Sequence, residues 1–356
     1  MIPHVFVNRI ETAVPDNECH AFFSELAPRM IADPRKRRWF NRVLAKSTIE
    51  RRFTFLCPAR EPDRIEANDF YRFGNFPTTA KRMEYFEEHA YRLAESALHK
   101  LELGARKRDI THLIVASCTG LYAPGLDIEI MKKFELRSDV ERTFIGFMGC
   151  FSGINALKTA YHIVRSEPEA RVLTVNLELC TLHFQETEDL EKLLSFIIFG
   201  DGCATTLVSA EPRGLRLLDF RSEVAPGTED KMTWRIGDQG YDMHLSTGVP
   251  ESIARGLPSL RDKLLPDALP MTHWAIHPGG KAVLDAVGKA LQIPEDGLRH
   301  SRGVLRDFGN MSSAGLLFVL REMLRAEVPD GAGLAMAFGP GLTVESLRFA
   351  KGNVGS

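Results

Sequence analysis

The sequence lacks paired cysteines. Six cysteines are spread over 356 residues, and none belongs to a CxxC pair: Cys19, Cys57, Cys118, Cys150, Cys180 and Cys203. This spacing argues against a zinc knot and against the disulfide framework of a small secreted domain. We therefore expect reduced thiols, no metal site and a cytoplasmic protein whose core is large enough to fold without covalent cross-links.

An excess of charge of either sign is also missing. The chain has 45 Lys and Arg against 47 Asp and Glu, so no whole-protein field attracts nucleic acid or an anionic membrane. No stretch reaches the roughly 18 apolar residues of a spanning helix, and the start MIPHVFVNRIETAVPD lacks a basic region followed by an apolar one. We expect no nucleic-acid binding, no secretion and no membrane insertion.

What the sequence does contain is an alternation of helices and short apolar strands. The segment EYFEEHAYRLAESALHKLEL predicts a helix, and THLIVASCTG and RVLTVNLELC predict strands that follow it. Strands that alternate with helices predict an α/β fold with a buried, largely parallel sheet.

Two pairs of segments resemble each other at matching distances. ITHLIVASCTG resembles MTHWAIHPGG, and about thirty residues after each comes FMGCFSGINALKTA around Cys150 or DFGNMSSAGLLFVL around Asn310. We interpret this as a duplication into two pseudo-equivalent halves, residues 1–209 and 210–356. Cys150 and Asn310 then take corresponding positions, and both turns face one central cleft.

Cys150 is either a buried structural thiol or a nucleophile. It stands between Gly149 and Gly153 at the predicted start of a helix. The helix dipole and unpaired amides there favour the thiolate, and the glycines permit a tight turn that presents the sulfur. The first interpretation is the usual one for a cysteine, but the glycines and the helix start favour the second.

A nucleophile requires a proton acceptor and a group that stabilises negative charge on oxygen. His277, in AIHPGG at a predicted strand end, is the best candidate among eleven histidines. Asn310 is either an ordinary helix N-cap or a neutral donor to a developing oxyanion. These residues and Cys150 form the predicted catalytic site.

Five motifs in order resemble those of one family. GFMGCFSG, FGDGCA, AIHPGG, DFGNMSSA and FGPGLTVE are similar to signatures of type III polyketide synthases, the chalcone and stilbene synthase superfamily. The resemblance implies a homodimer with a duplicated thiolase-like α/β fold, layered α-β-α-β-α, without a metal or redox cofactor. It also implies that Cys150 carries the acyl chain as a thioester. His277 and Asn310 would bind the carbonyl oxygen, and His277 would keep Cys150 ionised as its imidazolium partner.

The same resemblance assigns residues that bind the acyl-CoA and malonyl-CoA substrates. Phe199 matches the aromatic gatekeeper, although a phenylalanine at a strand end is otherwise a core residue. Arg42, Lys46 and Ala282 match CoA-binding positions, whereas Trp39 replaces a usual lysine. Without the resemblance, the basic stretch DPRKRRWFNRVLAKSTIERR, which contains Arg42 and Lys46, is interpreted as a solvated helix face.

Cavity residues implied by the resemblance bear on the substrate. Trp234 replaces a glycine of chalcone-forming enzymes, and Ala123 replaces a methionine that enters the neighbouring subunit's site. Loss of the plant-type pocket argues against an aromatic starter, and the space at Ala123 favours a fatty acyl chain. The other expected cavity residues are Cys118, Thr119, Cys180, His183, Met243 and Ser312.

These observations predict a bacterial-type enzyme that makes an alkylpyrone or an alkylresorcinol-type product. Three alternatives remain open: a ketoacyl synthase that condenses once and acts with an acyl carrier protein, a Cys-His-Asn protease, and a non-catalytic acyl-binding protein. A degradative thiolase is disfavoured because no cysteine follows Cys203.

Overall fold

The computed structural model describes residues 3–59, 65–265, 270–326 and 328–352. The strands in these residues are β1 Val5–Ala13, β2 Asn17–Glu18, β3 Phe53–Thr54, β4 His112–Ser117, β5 Glu141–Gly146, β6 Val172–Leu179, β7 Asp201–Ser209, β8 Leu215–Val224, β9 Met232–Gly237, β10 Gly240–Leu245, β11 Met271–Ile276, β12 Gly331–Gly339 and β13 Thr343–Lys351. The α-helices are α1 His20–Leu26, α2 Pro34–Leu44, α3 Thr79–His99, α4 Leu126–Lys133, α5 Ser152–Ser166, α6 Leu190–Ile198, α7 Val249–Gly256, α8 Arg261–Leu264, α9 Lys281–Leu291, α10 Arg299–Phe308 and α11 Gly315–Arg325. Within the described ranges, no helix has the length and apolar character needed to span a membrane.

One nine-stranded sheet, in the order β11-β12-β13-β8-β1-β7-β6-β4-β5, forms the centre of the molecule. Three neighbouring pairs are parallel and five are antiparallel, so the prediction of a largely parallel sheet is wrong. The physical reason is visible at β12 and β13, which are joined by the short turn Pro340–Leu342. A parallel return requires a crossover of about a dozen residues, and this turn permits only an antiparallel neighbour.

The two halves of the sheet repeat one arrangement. In the first half, β4 is parallel to β6, and β7 and β1 follow in antiparallel order. In the second half, β11 is parallel to β12, and β13 and β8 follow in antiparallel order. The similar sequence segments therefore form the corresponding strands β4 and β11, which confirms the predicted pseudo-equivalent halves.

The halves meet where β1 pairs with β8 over three residue pairs. The boundary predicted between residues 209 and 210 falls in the connection between β7 and β8. The exact position of the boundary stays a prediction.

Helices form three layers around the two halves of the sheet. In the middle, α5 and α11 share a core with strands from both halves. On one outer side α3 and α4 pack against the first half, and on the other α7, α9 and α10 pack against the second half. This arrangement gives the predicted order α-β-α-β-α. The amino ends of the two central helices lie at the boundary between the halves, where α5 approaches the turn before α11: a Cβ atom on Gly153 would lie 2.5 Å from the Ser313 carbonyl oxygen.

Candidate active site

Cys150 lies in the turn between β5 and α5. Gly149 precedes it with φ of +85°, in the left-handed region that favours glycine, and a Cβ atom there would lie 2.3 Å from Cδ of Pro340. Two residues after Cys150, α5 begins at Ser152. The thiol is thus held at the amino end of a central helix, as the glycine pattern predicts, and only 9% of the residue is exposed.

Asn310 occupies the corresponding turn of the second half, between α10 and α11. Its backbone N–H donates to the Ile198 carbonyl at 2.9 Å, and its carbonyl accepts from Gly200 N–H at 3.0 Å. These bonds attach it to the segment that carries Phe199. Its Oδ1 accepts from the Ser312 N–H at 2.8 Å, so the amide Nδ2 is left as the donor to other groups.

His277 directly follows β11, at the end of the second half's parallel pair. Its backbone N–H donates to the Met336 carbonyl at 2.8 Å. Gly315 packs closely against the ring, because a Cβ atom at Gly315 would lie 3.2 Å from the imidazole Cε1. Only 2% of the residue is exposed, yet among the described residues neither ring nitrogen has a hydrogen-bond partner of standard geometry. Buried polar atoms are usually paired, so this imidazole is available to a ligand.

One cavity brings these three residues together. It has a volume of about 40 Å³, and Phe199 contributes to its wall together with Trp234, Met243, Cys150, His277 and Asn310. It shares Leu245, Val249, Gly279 and Val283 with a larger cavity of about 550 Å³. We call the two the inner and the outer cavity; the shared residues place the outer cavity directly beside the one that contains the thiol.

Burial dominates the electrostatics of the inner cavity. It raises the pKa of the Cys150 thiol to about 12, partly offset by the side chains of Ser312 and Asn310. It lowers the pKa of His277 to about 4, with a smaller opposing effect of Asn310. Desolvation therefore opposes ionisation of both groups, and a thiolate–imidazolium pair requires their mutual attraction to exceed this cost. The ion pair stays a prediction.

Glu178 is a buried carboxylate behind the thiol that the sequence reasoning missed. Its Oε2 accepts from Cys118 N–H at 3.0 Å and from the Thr119 hydroxyl at 2.9 Å, while its Oε1 accepts from the hydroxyl and N–H of Ser313. The side chain thereby connects the strand end of the first half to the turn before α11 in the second. A single acidic residue inside the apolar run RVLTVNLELC is the signal that identifies it.

Replacing Glu178 by alanine should lower the free energy of unfolding by about 3 kcal/mol or more, because several buried donors lose their acceptor at once. Chemical denaturation checks this value. Glu178→Gln keeps one acceptor oxygen and should lose less; equal stability of the alanine variant and the wild type would contradict the bridging role.

Several predicted cavity residues lie behind the wall of the inner cavity rather than on it. The Cys118 sulfur accepts from Gly149 N–H at 3.0 Å, and the Thr119 hydroxyl binds Glu178. His183 stacks on Tyr241 with ring centroids 4.2 Å apart, and its Nε2 lies 2.8 Å from the Thr119 carbonyl oxygen. Burial lowers the pKa of His183 to about 3, so this imidazole is neutral and structural.

The remaining predicted residues lie beside the Cys150 thiol, at the wall of the outer cavity, or at the surface. Cys180 contacts Cys150 and Phe199 in one apolar cluster against which Met243 packs. Buried Ser312 lies beside the Cys150 sulfur. In the outer cavity, the wall includes Lys46 and Ala282. Two predicted residues are exposed and lie outside both cavity walls: Arg42 on α2, and Ala123 in a surface groove.

Comparison with known proteins identifies the family to which this chain is similar. The sequence profile for the chalcone and stilbene synthases, N-terminal domain, matches residues 11–212, and that for the C-terminal domain matches residues 218–351. The chain is 33% identical over 337 residues to the alpha-pyrone synthesis polyketide synthase-like Pks18 of Mycobacterium tuberculosis, covering 90% of this chain and 84% of that protein. It is 32% identical over 292 residues to type III polyketide synthase A of Arabidopsis thaliana, covering 76% and 74%.

Solved structures agree with these sequence relatives. The C-terminal type III polyketide synthase domain of Steely1 from Dictyostelium superposes with a TM-score of 0.89 at 26% identity, over 98% of this chain and 99% of that one. PKS-I of the brown alga Ectocarpus siliculosus gives a TM-score of 0.86 at 26% identity, over 99% of each chain. With both profiles matched in order across the duplicated thiolase fold, the chain belongs to the chalcone and stilbene synthase family and is a type III polyketide synthase, a decarboxylating condensing acyltransferase.

Proposed function

We propose that this polyketide synthase loads a fatty acyl-CoA starter on Cys150, extends it with malonyl-CoA and releases a cyclised alkylpyrone or alkylresorcinol-type product. The observation that carries the proposal is the inner cavity lined by Cys150, His277 and Asn310, which shares wall residues with a larger outer one. The similarity to the mycobacterial Pks18, named for alpha-pyrone synthesis, supports a pyrone product.

Loading is a thioester exchange at the sulfur of Cys150. The sulfur attacks the carbonyl carbon of the starter, the bond to the CoA sulfur breaks, and CoA leaves as a thiol with the proton that Cys150 gives up. His277 and the Asn310 Nδ2 donate to the carbonyl oxygen as negative charge develops there. The His277 imidazole fits the role of shuttling that proton, since among the described residues neither ring nitrogen has a hydrogen-bond partner of standard geometry.

Extension uses the same two donors. Malonyl-CoA loses carbon dioxide, the electron pair of the broken bond stays as the enolate of acetyl-CoA, and His277 and Asn310 stabilise its oxygen. The enolate carbon then attacks the acyl group, and the Cys150 thiolate leaves. Decarboxylation supplies the carbanion, so the reaction as proposed requires no metal or redox cofactor.

The outer cavity is the proposed CoA site. Lys46 at its wall and Arg42, one helical turn earlier on α2, provide positive charge for the phosphates of CoA, and Ala282 lies at the amino end of α9. Cations and a helix amino end both favour bound phosphate. Phe199, at the wall of the inner cavity, is the proposed gatekeeper between the two spaces.

Trp234 restricts the proposed starter. Its ring lies 6.4 Å from that of Phe199, centroid to centroid, and closes one side of the inner cavity. The Trp234 ring therefore excludes a bulky aromatic group from the position that it occupies.

Replacing Trp234 by glycine is expected to raise kcat/KM for a bulky aromatic acyl-CoA by about tenfold or more, because one removed steric contact changes discrimination by about 1–3 kcal/mol. Steady-state kinetics with aromatic and fatty acyl-CoA starters measures the change. Ile236→Ala on the same strand is the control, since Ile236 is exposed and outside the inner cavity. Unchanged selectivity in the Trp234 variant would contradict the steric account.

A homodimer is proposed from the edge of the sheet. Strand β5 is an edge strand, and Leu121, Phe144 and Met148 expose large apolar side chains beside it. Exposed edges and apolar patches of this kind are typical of protein interfaces. Ala123 shares a groove with Leu121 and Phe144, which is consistent with a loop that reaches a second subunit.

All six cysteines are free thiols, which supports the reducing cytoplasm as the compartment.

A thiolate–imidazolium pair of Cys150 and His277 predicts that the reactivity of the thiol depends on His277 and on pH. An imidazolium beside the sulfur lowers the thiol pKa, so His277→Ala should shift the pH profile of Cys150 alkylation by iodoacetamide upward by about one pH unit or more. His162→Ala, an exposed histidine on α5, is the control. Superimposable profiles for wild type and His277→Ala would show that burial alone sets the pKa of the thiol.

Product analysis separates the proposal from its alternatives. Incubation with a series of fatty acyl-CoA starters and malonyl-CoA, followed by mass spectrometry, should give cyclised products that contain two or more extension units. A single ketoacyl product made only with an acyl carrier protein would identify a ketoacyl synthase. Acyl-CoA binding without decarboxylation of malonyl-CoA would identify a non-catalytic acyl-binding protein.

A further inference from the structure

The charge on α2 exceeds what the proposed reaction uses. The helix PRKRRWFNRVL carries five basic residues and no acidic one. Arg35, Arg38 and Arg42 follow each other at spacings of three and four, so they lie on one face that leads towards Lys46 at the outer cavity. Trp39 lies beside this face and is 42% exposed. We call the exposed residues Arg35, Lys36, Arg38, Trp39 and Arg42 the α2 patch.

The cations of the α2 patch have no ion-pair partner in the part of the chain that the structure describes. All four are exposed, and within the described ranges none of them forms an ion pair. The arginines of α10 provide a contrast, because each has an acidic partner: Arg299 with Asp296, Arg302 with Asp285 and Arg306 with Asp307. The N-cap carboxylate of Asp33 accepts from the backbone N–H groups of Arg35 and Lys36 rather than from these side chains. Like charges in adjacent turns of a helix repel each other, so the α2 patch favours an external anionic partner.

CoA explains only the inner end of the patch. Lys46 lies at the wall of the outer cavity and Arg42 one turn away, which suits the phosphates of one nucleotide. Arg35 lies seven residues before Arg42, which corresponds to about 10 Å along the helix axis. Arg35 and Lys36 therefore extend the positive surface beyond the cations assigned to CoA, as docking of a larger partner requires.

The apolar side of α2 decides between a membrane and a protein as that partner. Phe40 is fully buried against Leu193 and Ile197 of α6. A helix that binds a membrane surface inserts a broad apolar face between the lipids, and α2 has already used its apolar face inside the fold. A positive surface with one exposed tryptophan instead fits an acidic protein surface.

We propose that the α2 patch docks an acidic carrier protein that delivers an acyl thioester on a phosphopantetheine arm. This inference rests on the proposed function, since Cys150 must be the acyl acceptor. CoA has the same arm, so a carrier at the rim of the outer cavity sends its thioester along the same path. The Cys150 sulfur attacks the carbonyl, the bond to the arm's sulfur breaks, and the carrier leaves with a free thiol that takes the proton of Cys150.

The test compares two donors of one acyl group, dodecanoyl-CoA and an acidic acyl carrier protein charged with dodecanoyl-phosphopantetheine. Acylation of the full-length enzyme is followed by intact-protein mass spectrometry. The variant is Arg35→Glu/Lys36→Glu, which places acidic residues in the first turn of α2, where the helix dipole favours them. The control is Arg92→Glu/Arg108→Glu, two exposed cations outside both cavity walls with the same change in charge.

We expect the α2 variant to lose about tenfold or more in kcat/KM with the carrier and to stay within about twofold of the wild type with dodecanoyl-CoA. The control variant should keep the wild-type rate with both donors. An equal loss with both donors, or no loss with the carrier, would overturn the docking proposal. Loss of binding to phosphatidylglycerol vesicles with an unchanged carrier rate would assign the patch to a membrane instead. If wild type is acylated by dodecanoyl-CoA but not by the carrier, only the docking proposal fails; if neither donor acylates Cys150, the proposed function fails with it.

Discussion

After incubation with dodecanoyl-CoA, the Cys150→Ala variant is expected to keep its unmodified mass, whereas the wild type gains one acyl group. The proposed reaction requires a sulfur at the amino end of α5 and on the wall of the cavity shared with His277 and Asn310. Alanine leaves the turn intact because it fits the same backbone, but it removes the nucleophile. Intact-protein mass spectrometry measures the loss, and product formation should fall below detection.

Cys180 provides the matched control for this experiment. It is buried and contacts Cys150 in the same cluster, but it is not part of the inner cavity wall. Cys180→Ala should therefore keep acylation of Cys150. Acylation that persists in Cys150→Ala and disappears in Cys180→Ala would move the nucleophile to the neighbouring thiol.

Replacing Asn310 by alanine should slow decarboxylation of malonyl-CoA by about 10²–10³-fold, the usual effect of removing one oxyanion donor. The Ser312 N–H occupies the Asn310 Oδ1, which leaves the amide Nδ2 as the donor that the proposed reaction requires. Asn310→Asp should be at least as slow, because a carboxylate cannot donate and its charge opposes that of the enolate.

Release of carbon dioxide from malonyl-CoA measures this effect directly. Asn155→Ala is a suitable control, since Asn155 lies on α5 outside the inner cavity wall. Asn310→Ala with full decarboxylation activity would leave His277 as the only donor and would contradict the proposed role of Asn310.

Local sequence patterns predicted the parts of the molecule that depend on short segments. Gly149 and the start of α5 determine where Cys150 lies, and the similar turn before α11 does the same for Asn310. The similar strands β4 and β11 occupy corresponding places in the sheet, so the duplication was also visible from sequence.

Properties that depend on distant contacts were not predictable in this way. Apolar runs indicate that a strand is buried but not which way its neighbour runs, so the antiparallel pairs were missed. The residue types of Cys118, Thr119 and His183 do not reveal which side of a strand end faces the cavity; their partners, Gly149, Glu178 and Tyr241, come from other segments. The buried role of Glu178 likewise depends on donors from both halves of the chain.

The most direct test of the central claim follows the acyl group on the wild-type enzyme. Peptide mass spectrometry after a short incubation with dodecanoyl-CoA should find the acyl group on the peptide that contains Cys150. Addition of malonyl-CoA should remove this adduct while a cyclised product with two or more extension units appears. An adduct on any other residue, or one that persists when malonyl-CoA is added, would contradict the proposal that Cys150 both accepts and extends the starter.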